Sequence, residues 1–123
     1  MKKMIFLLLA VMMLTACAQA TENGQGAVYV NITAEEAKRI MDSEEVYVIL
    51  DVRTQEEYDQ GHIPGAMLIP DTEIKAKAEN VLTDKTQLIL VYCRSGRRSK
   101  LASESLVELG YTNIKEFGGI IDW

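Results

Sequence analysis

The residues best equipped for chemistry are gathered in one short run, Cys93-Arg94-Ser95-Gly96-Arg97-Arg98-Ser99. A thiolate is a strong nucleophile, and a following helix end with arginines beside it favours that ionised form. Three cations at the start of a helix oppose its macrodipole by about 0.3–1 kcal/mol each. They do so in a chain whose net charge is −5. An anion held by the loop resolves the conflict, be it the thiolate, a persulfide or a bound substrate. Gly96 lets the backbone curl so that its N–H groups point inward. On these residues alone, a basic turn with a chance cysteine stands as the other reading.

Two further groups invite attention. Asp51 and Arg53 end an apolar run and are expected to form a charge-assisted pair that braces the neighbouring loops. His62 is the only histidine, which leaves a metal site or a Cys–His dyad open on the residues alone.

The elements that must position these residues follow from pattern. Val28–Val30 reads as a short strand. Thr33-Ala34-Glu35-Glu36 is a capping box opening a helix to about Asp42. The apolar run from Val46 to Leu50 has the length of a strand covered on both faces. A second capping box, Thr54-Gln55-Glu56-Glu57, opens a short helix that Gly61 can close. Met67–Ile69 is a brief strand stopped by Pro70, and 74–82 is weakly helical. Leu88–Tyr92 is a fully apolar strand leading into Cys93. A helix from about Ser99 to Leu109 follows, with Ser99 as its N-cap or in its first turn, and Ile114–Phe117 is the last strand. Alternating buried strands and helices imply an α/β fold with a largely parallel sheet. In such a sheet, ligands bind beyond the C-terminal strand ends, where Cys93 lies.

The amino terminus belongs to a different class. Lys2 and Lys3 precede an apolar run from Met4 to Leu14 that falls short of the roughly 20 residues of a membrane span. This reads as a secretory signal, and Leu14-Thr15-Ala16-Cys17 resembles the lipobox of bacterial lipoproteins. The expected layout is a leader over 1–16, a lipidated Cys17 with a flexible tether over 17–27, and a folded domain over 28–123. The ten tether residues after Cys17 would span about 17 Å. The protein would then be exported and lipid-anchored at the outer face of a bacterial membrane. Loss of the leader removes two lysines and no acids, so the charge becomes −7. So acidic a body argues against nucleic acid as a partner. With Cys17 lipidated, Cys93 is the lone thiol of the mature chain, a liability in an oxidising compartment unless it has a task.

Beyond the loop, Asp51-Val52-Arg53, Glu57-Tyr58, Gly61-His62-Ile63-Pro64-Gly65-Ala66, Leu109-Gly110-Tyr111 and Gly118-Gly119-Ile120…Trp123 stand in order along the chain. Together with the Cys93 loop, this set resembles the rhodanese homology domain over about 95 residues. The resemblance implies a rhodanese-like α/β fold, a five-stranded mostly parallel sheet flanked by helices. It implies a sulfurtransferase in which Cys93 takes sulfane sulfur from a small anionic donor such as thiosulfate and passes it to a thiol or cyanide. Arg94, Ser95, Gly96, Arg97 and Arg98 would form the substrate loop, with Asp51 and Arg53 in support, His62 as a structural turn residue and no metal or organic cofactor. A sulfur-accepting protein is a further partner it allows, with a non-enzymatic anchored persulfide carrier or binding module as the alternative function and a phosphatase or arsenate reductase ranked behind it. Phosphatases on this fold place five residues between Cys and Arg. Here four separate Cys93 from Arg98, and Ser99 stands at the phosphatase position. Family members also continue several residues beyond the position of Trp123.

Overall fold

The computed structural model describes residues 28–123. The expected leader, lipidated Cys17 and tether fall on residues 1–27, outside the described residues. Five strands form one parallel sheet: β1 (Val30–Asn31), β2 (Val48–Asp51), β3 (Met67–Leu68), β4 (Ile89–Cys93) and β5 (Ile114–Gly119). Their spatial order is β1-β5-β4-β2-β3, and every pair is parallel, so the mostly parallel sheet of the sequence reading is wholly parallel. Four helices connect them: α1 (Ala34–Ser43), α2 (Gln55–Gln60), α3 (Ile74–Val81) and α4 (Arg97–Glu108).

Local chemistry explains most of these boundaries. Thr33 Oγ1 accepts from the Glu36 N–H at 3.1 Å and Thr54 Oγ1 from the Glu57 N–H at 3.2 Å, so both threonines cap their helices. Gly61, at φ +147°, ends α2. β4 is buried at every residue because helices cover both of its faces. Ile89, Val91 and Cys93 pack toward α3 and α4 with Leu50, Ile74, Ala102 and Leu106. Leu90 and Tyr92 pack toward the other layer with Ala37, Ile63, Ala66 and Phe117. The period-two alternation of a strand divides the core between the two layers.

Three boundaries differ from the sequence reading. β4 continues through Cys93, which makes the cysteine the last residue of a buried strand. α4 begins at Arg97 rather than near Ser99, because Gly96 takes φ +108° and serves as the cap. Ser99 is therefore a first-turn residue with an inward side chain and not an N-cap. β5 extends to Gly119, whose register partner is Cys93, across an irregularity between Val91 and Cys93.

From β2 the chain moves outward to β3, then crosses to β4 on the other side. The carboxyl ends of β2 and β4 thus flank the point where the winding reverses, the usual location of a ligand crevice in open α/β sheets. Asp51 and Cys93 end these two strands.

Candidate active site

Cys93 sits on the floor of the loop between β4 and α4, 1 % exposed. The Gly96 N–H points at its Sγ at 3.0 Å. Only a left-handed residue turns that N–H inward here, and glycine adopts φ +108° without the penalty a Cβ carries. The loop is pressed from the other side by β5. An ideal Cβ on Gly119 would stand 1.8 Å from the Arg94 carbonyl oxygen, so only glycine lets the strand approach this closely. The Ile121 N–H donates to the same carbonyl at 3.3 Å.

The three loop arginines part company. Arg98 is held by Glu57, with Nη1–Oε1 at 2.6 Å and Nη2–Oε2 at 2.9 Å. The Arg98 hydrogen bonds hold the Glu57 carboxyl down at about 2, and the reciprocal bond raises Arg98. Arg97 is exposed on α4. Arg94 is exposed at the loop mouth and lines an open depression of about 480 Å³ with Arg53, Glu57, Gln60, Gly61, Ile120 and Ile121. Arg53 and Glu57 are already paired, which leaves Arg94 as the cation there without an ion pair among the described residues. A slightly larger depression of about 520 Å³ lies on the β1 side, but its one charged wall residue is Glu35, which suits an anion poorly. Ser95 is exposed beside Arg94. Cys93 lines neither depression.

Asp51 and Arg53 form the expected pair, and both are buried. Arg53 reaches Asp51 through Nη2–Oδ2 at 2.7 Å and donates from Nη2 to the Gly61 carbonyl at 2.7 Å. Tyr92 donates its hydroxyl to Asp51 Oδ2 at 2.7 Å and accepts from the Ile63 N–H at 3.1 Å. Burial, with the Asp51 carboxylate beside it, pushes the Tyr92 phenol far above its ordinary range. One buried network thus ties the end of β2 to β4 and to the 61–63 turn. His62 stacks on Tyr58 with ring centroids 3.6 Å apart, and its Nδ1 lies 2.9 Å from the Tyr58 carbonyl. It is a turn residue of that support. Among the described residues, no cluster of His, Cys, Asp and Glu could hold a metal ion.

Sequence reasoning missed Glu116. It is fully buried on β5, beneath the loop. Its Oε1 accepts from Ser99 Oγ at 2.6 Å and from the Gly118 N–H at 2.8 Å, and its Oε2 accepts from Asn31 Nδ2. Ser99 Oγ in turn lies 3.4 Å from Cys93 Sγ. The overlooked signal was a carboxylate on a strand that the parallel α/β pattern covers on both faces.

The rhodanese-like domain model matches residues 33–123. This chain belongs to the rhodanese-like family. It is 42 % identical over 73 residues to the thiosulfate sulfurtransferase PspE of Escherichia coli strain K12, covering 59 % of this chain and 70 % of that protein. It is 39 % identical over 93 residues to the putative sulfur carrier protein YrkF of Bacillus subtilis strain 168, covering 75 % of this chain and 49 % of that one. The chain therefore spans about half of the second relative's length. Among solved structures, a rhodanese with anions from E. coli superposes with a TM-score of 0.60 at 40 % identity, covering 63 % of this chain and 91 % of that chain. The rhodanese fold and the kinship with sulfurtransferases stand on these matches and on the parallel sheet described above.

Proposed function

We propose that this rhodanese-like protein is a sulfurtransferase that carries sulfane sulfur on Cys93. The observation that carries the reading is the Gly96 N–H aimed at Cys93 Sγ at the start of α4. That arrangement suits a sulfur anion, since backbone N–H groups at a helix start favour negative charge. Cys93 thiolate attacks the outer sulfur of a donor such as thiosulfate. The donor's S–S bond breaks, and sulfite leaves with the electron pair. An acceptor thiolate or cyanide then attacks the outer sulfur of the persulfide and restores the Cys93 thiolate. Arg94, exposed at the mouth and unpaired, is the best-placed cation for the incoming donor. Arg98, engaged by Glu57, shapes the loop and adds positive charge near Cys93.

Transfer of phosphate fits the site less well. At the position of the phosphatase arginine stands Ser99, whose hydroxyl is turned into the protein toward Glu116. A soluble form beginning near Ala27 is therefore expected to release sulfite from thiosulfate with cyanide or a thiol, and to leave phosphate esters intact. Phosphatase activity lost in Cys93→Ser, without sulfur transfer, would overturn the assignment. The likeness to a putative sulfur carrier favours a second reading, in which the persulfide is handed to one partner protein. A carrier would load with sulfur but turn over poorly with small acceptors.

The proposed layout is a leader over 1–16, a lipid on Cys17, a tether to 27 and the rhodanese-like domain from 28, with the protein at the outer face of a bacterial membrane. Two or more acyl chains are needed for a durable anchor. Expressed in bacteria, the full chain should partition into detergent, and Cys17→Ser should stay uncleaved or become soluble. Wild-type protein in the aqueous phase with an unmodified amino terminus would refute the anchor.

A further inference from the structure

A fully buried carboxylate beneath a loop built for an anion is an electrostatic conflict. Glu116 and a Cys93 sulfur anion would both be negative with only Ser99 between them, and like charges in a shared site do not both ionise readily. Glu116 makes no ion pair among the described residues that could offset this. Its three partners are all hydrogen-bond donors: the Ser99 hydroxyl, the Gly118 N–H and the Asn31 amide.

The conflict disappears if the two groups share one proton. Ser99 has a single hydroxyl hydrogen; its Oγ accepts from Cys93 Sγ at 3.4 Å and makes its shortest contact to Glu116 Oε1 at 2.6 Å, with the Gly96 and Gly118 carbonyls at 3.0 and 3.4 Å as competing acceptors. With Glu116 ionised, the Ser99 hydroxyl donates to the carboxylate and accepts the Cys93 S–H. When the thiol proton passes to Ser99 Oγ, the hydroxyl proton passes to Glu116. The result is a Cys93 thiolate, an unchanged serine and a neutral Glu116. No proton is gained or lost, and the cluster keeps one negative charge throughout.

We propose that Ser99 and Glu116 form an internal proton relay for Cys93, in which Glu116 stores the thiol proton while the sulfur is an anion. The proposal rests on the sulfurtransferase reading and deepens it. During loading, the Cys93 sulfur attacks as a thiolate, sulfite departs, and the negative persulfide remains under the Gly96 N–H beside a neutral Glu116. When the acceptor removes the outer sulfur, the relay runs backward or awaits the next donor. Ser99 touches the reacting sulfur. Glu116 acts through Ser99 and is a positioning residue, which sets the direction of the Ser99 hydroxyl.

The other charged or titratable groups facing the cluster do not supply this proton path. Arg98 feels the Cys93 charge but is engaged by Glu57. Tyr29, on the far side of β5, senses Glu116 and Glu104, and its phenol is pushed up by burial and by those two carboxylates. Asp71 faces Arg98, which its charge helps to raise.

The test uses single-turnover sulfite release from thiosulfate, followed from about pH 5.5 to 10, in wild type, Ser99→Ala, Glu116→Gln and the double variant. Glutamine keeps the shape, and Asn31 is exposed enough to turn its oxygen toward the new amide. Near pH 6.5 each single variant should load roughly 10–100-fold more slowly, toward the low end for a positioned proton acceptor. The double variant should be no slower than either single one, because both remove the same path. The defect should shrink toward the alkaline end of the range, where hydroxide can take the thiol proton without the relay. A defect equal at every pH would mean a structural role, and additive losses would mean two separate ones. Loading by Glu116→Gln as fast as wild type, or faster, would mean that Glu116 merely repels the sulfur anion. Each of these outcomes overturns the relay. Intact mass after thiosulfate, measured on wild type in parallel, separates failure of the relay from failure of the sulfurtransferase reading.

Discussion

Replacing Gly119 by alanine should cripple the Cys93 loop while leaving most of the fold intact. Gly119 has φ −121° and ψ 150°, an extended conformation that alanine adopts freely, so no backbone strain enters. The effect is steric. The new methyl carbon would lie 1.8 Å from the Arg94 oxygen, 2.4 Å from the Arg94 carbonyl carbon and 2.7 Å from Ser95 Cα. All three are backbone atoms, so no side chain can rotate aside. Restoring an ordinary contact requires strand and loop to separate by about 1.5 Å, and a shift near 1 Å can cost on the order of 100-fold in rate. The stability loss should be about 1–3 kcal/mol, the range of an overpacked site. Gly96→Ala isolates the other cause. Its methyl would meet only Gly118 Cα at 3.5 Å, an ordinary contact, but the positive φ should cost about 1–2 kcal/mol. Thiosulfate:cyanide turnover and urea melts on wild type and both variants provide the comparison. Gly119→Ala turning over within twofold of wild type would refute the claim that β5 fixes the loop geometry.

Asp51→Ala should lower stability by about 3–5 kcal/mol, because it strands a buried guanidinium and removes the acceptor of the Tyr92 hydroxyl. For a domain this size that is a fall of more than about 10 °C in thermal midpoint, and a fall of under 3 °C would contradict the bracing role. Glu57 is depressed in the fold to about 2 from 4.5, chiefly by the Arg98 hydrogen bonds. Its contribution is therefore complete above about pH 4.5 and is lost as pH falls from there toward 2. The pair is partly exposed, so that contribution should be about 1 kcal/mol. Glu57→Gln should remove it near neutrality and flatten the acid limb of a stability–pH curve, whereas parallel curves would mean that the pair contributes nothing.

Much of this structure was legible because local and global signals agree. Thr33 and Thr54 each precede a helix at capping distance, and Leu88–Tyr92 is apolar throughout because β4 is central. Asp51 and Arg53 were readable as a pair because only Val52 stands between them, at the end of a strand. What escaped depends on tertiary placement. Glu57 appeared as the reciprocal partner in a capping box, but its carboxylate reaches 41 positions along the chain to Arg98. No local pattern encodes that choice, which removes Arg98 from the free cations. The start of α4 was misplaced because the cap is a left-handed glycine rather than a side chain, so Ser99 looked like the better candidate. Glu116 was passed over as one of the polar residues of a short terminal strand. The sheet order places β5 between β1 and β4, and it is that position which buries the carboxylate.

Whether Cys93 holds sulfur decides the function of the protein. The domain from about Ala27, reduced, desalted and exposed to thiosulfate, should gain about 32 Da, the mass of one sulfur atom added as a persulfide. Peptide mapping should place it on Cys93, and cyanide or a thiol should remove it. Cys93→Ser should gain nothing under the same conditions. A folded wild-type protein that shows no adduct at any thiosulfate concentration, or an adduct that survives in Cys93→Ser, would contradict the central claim.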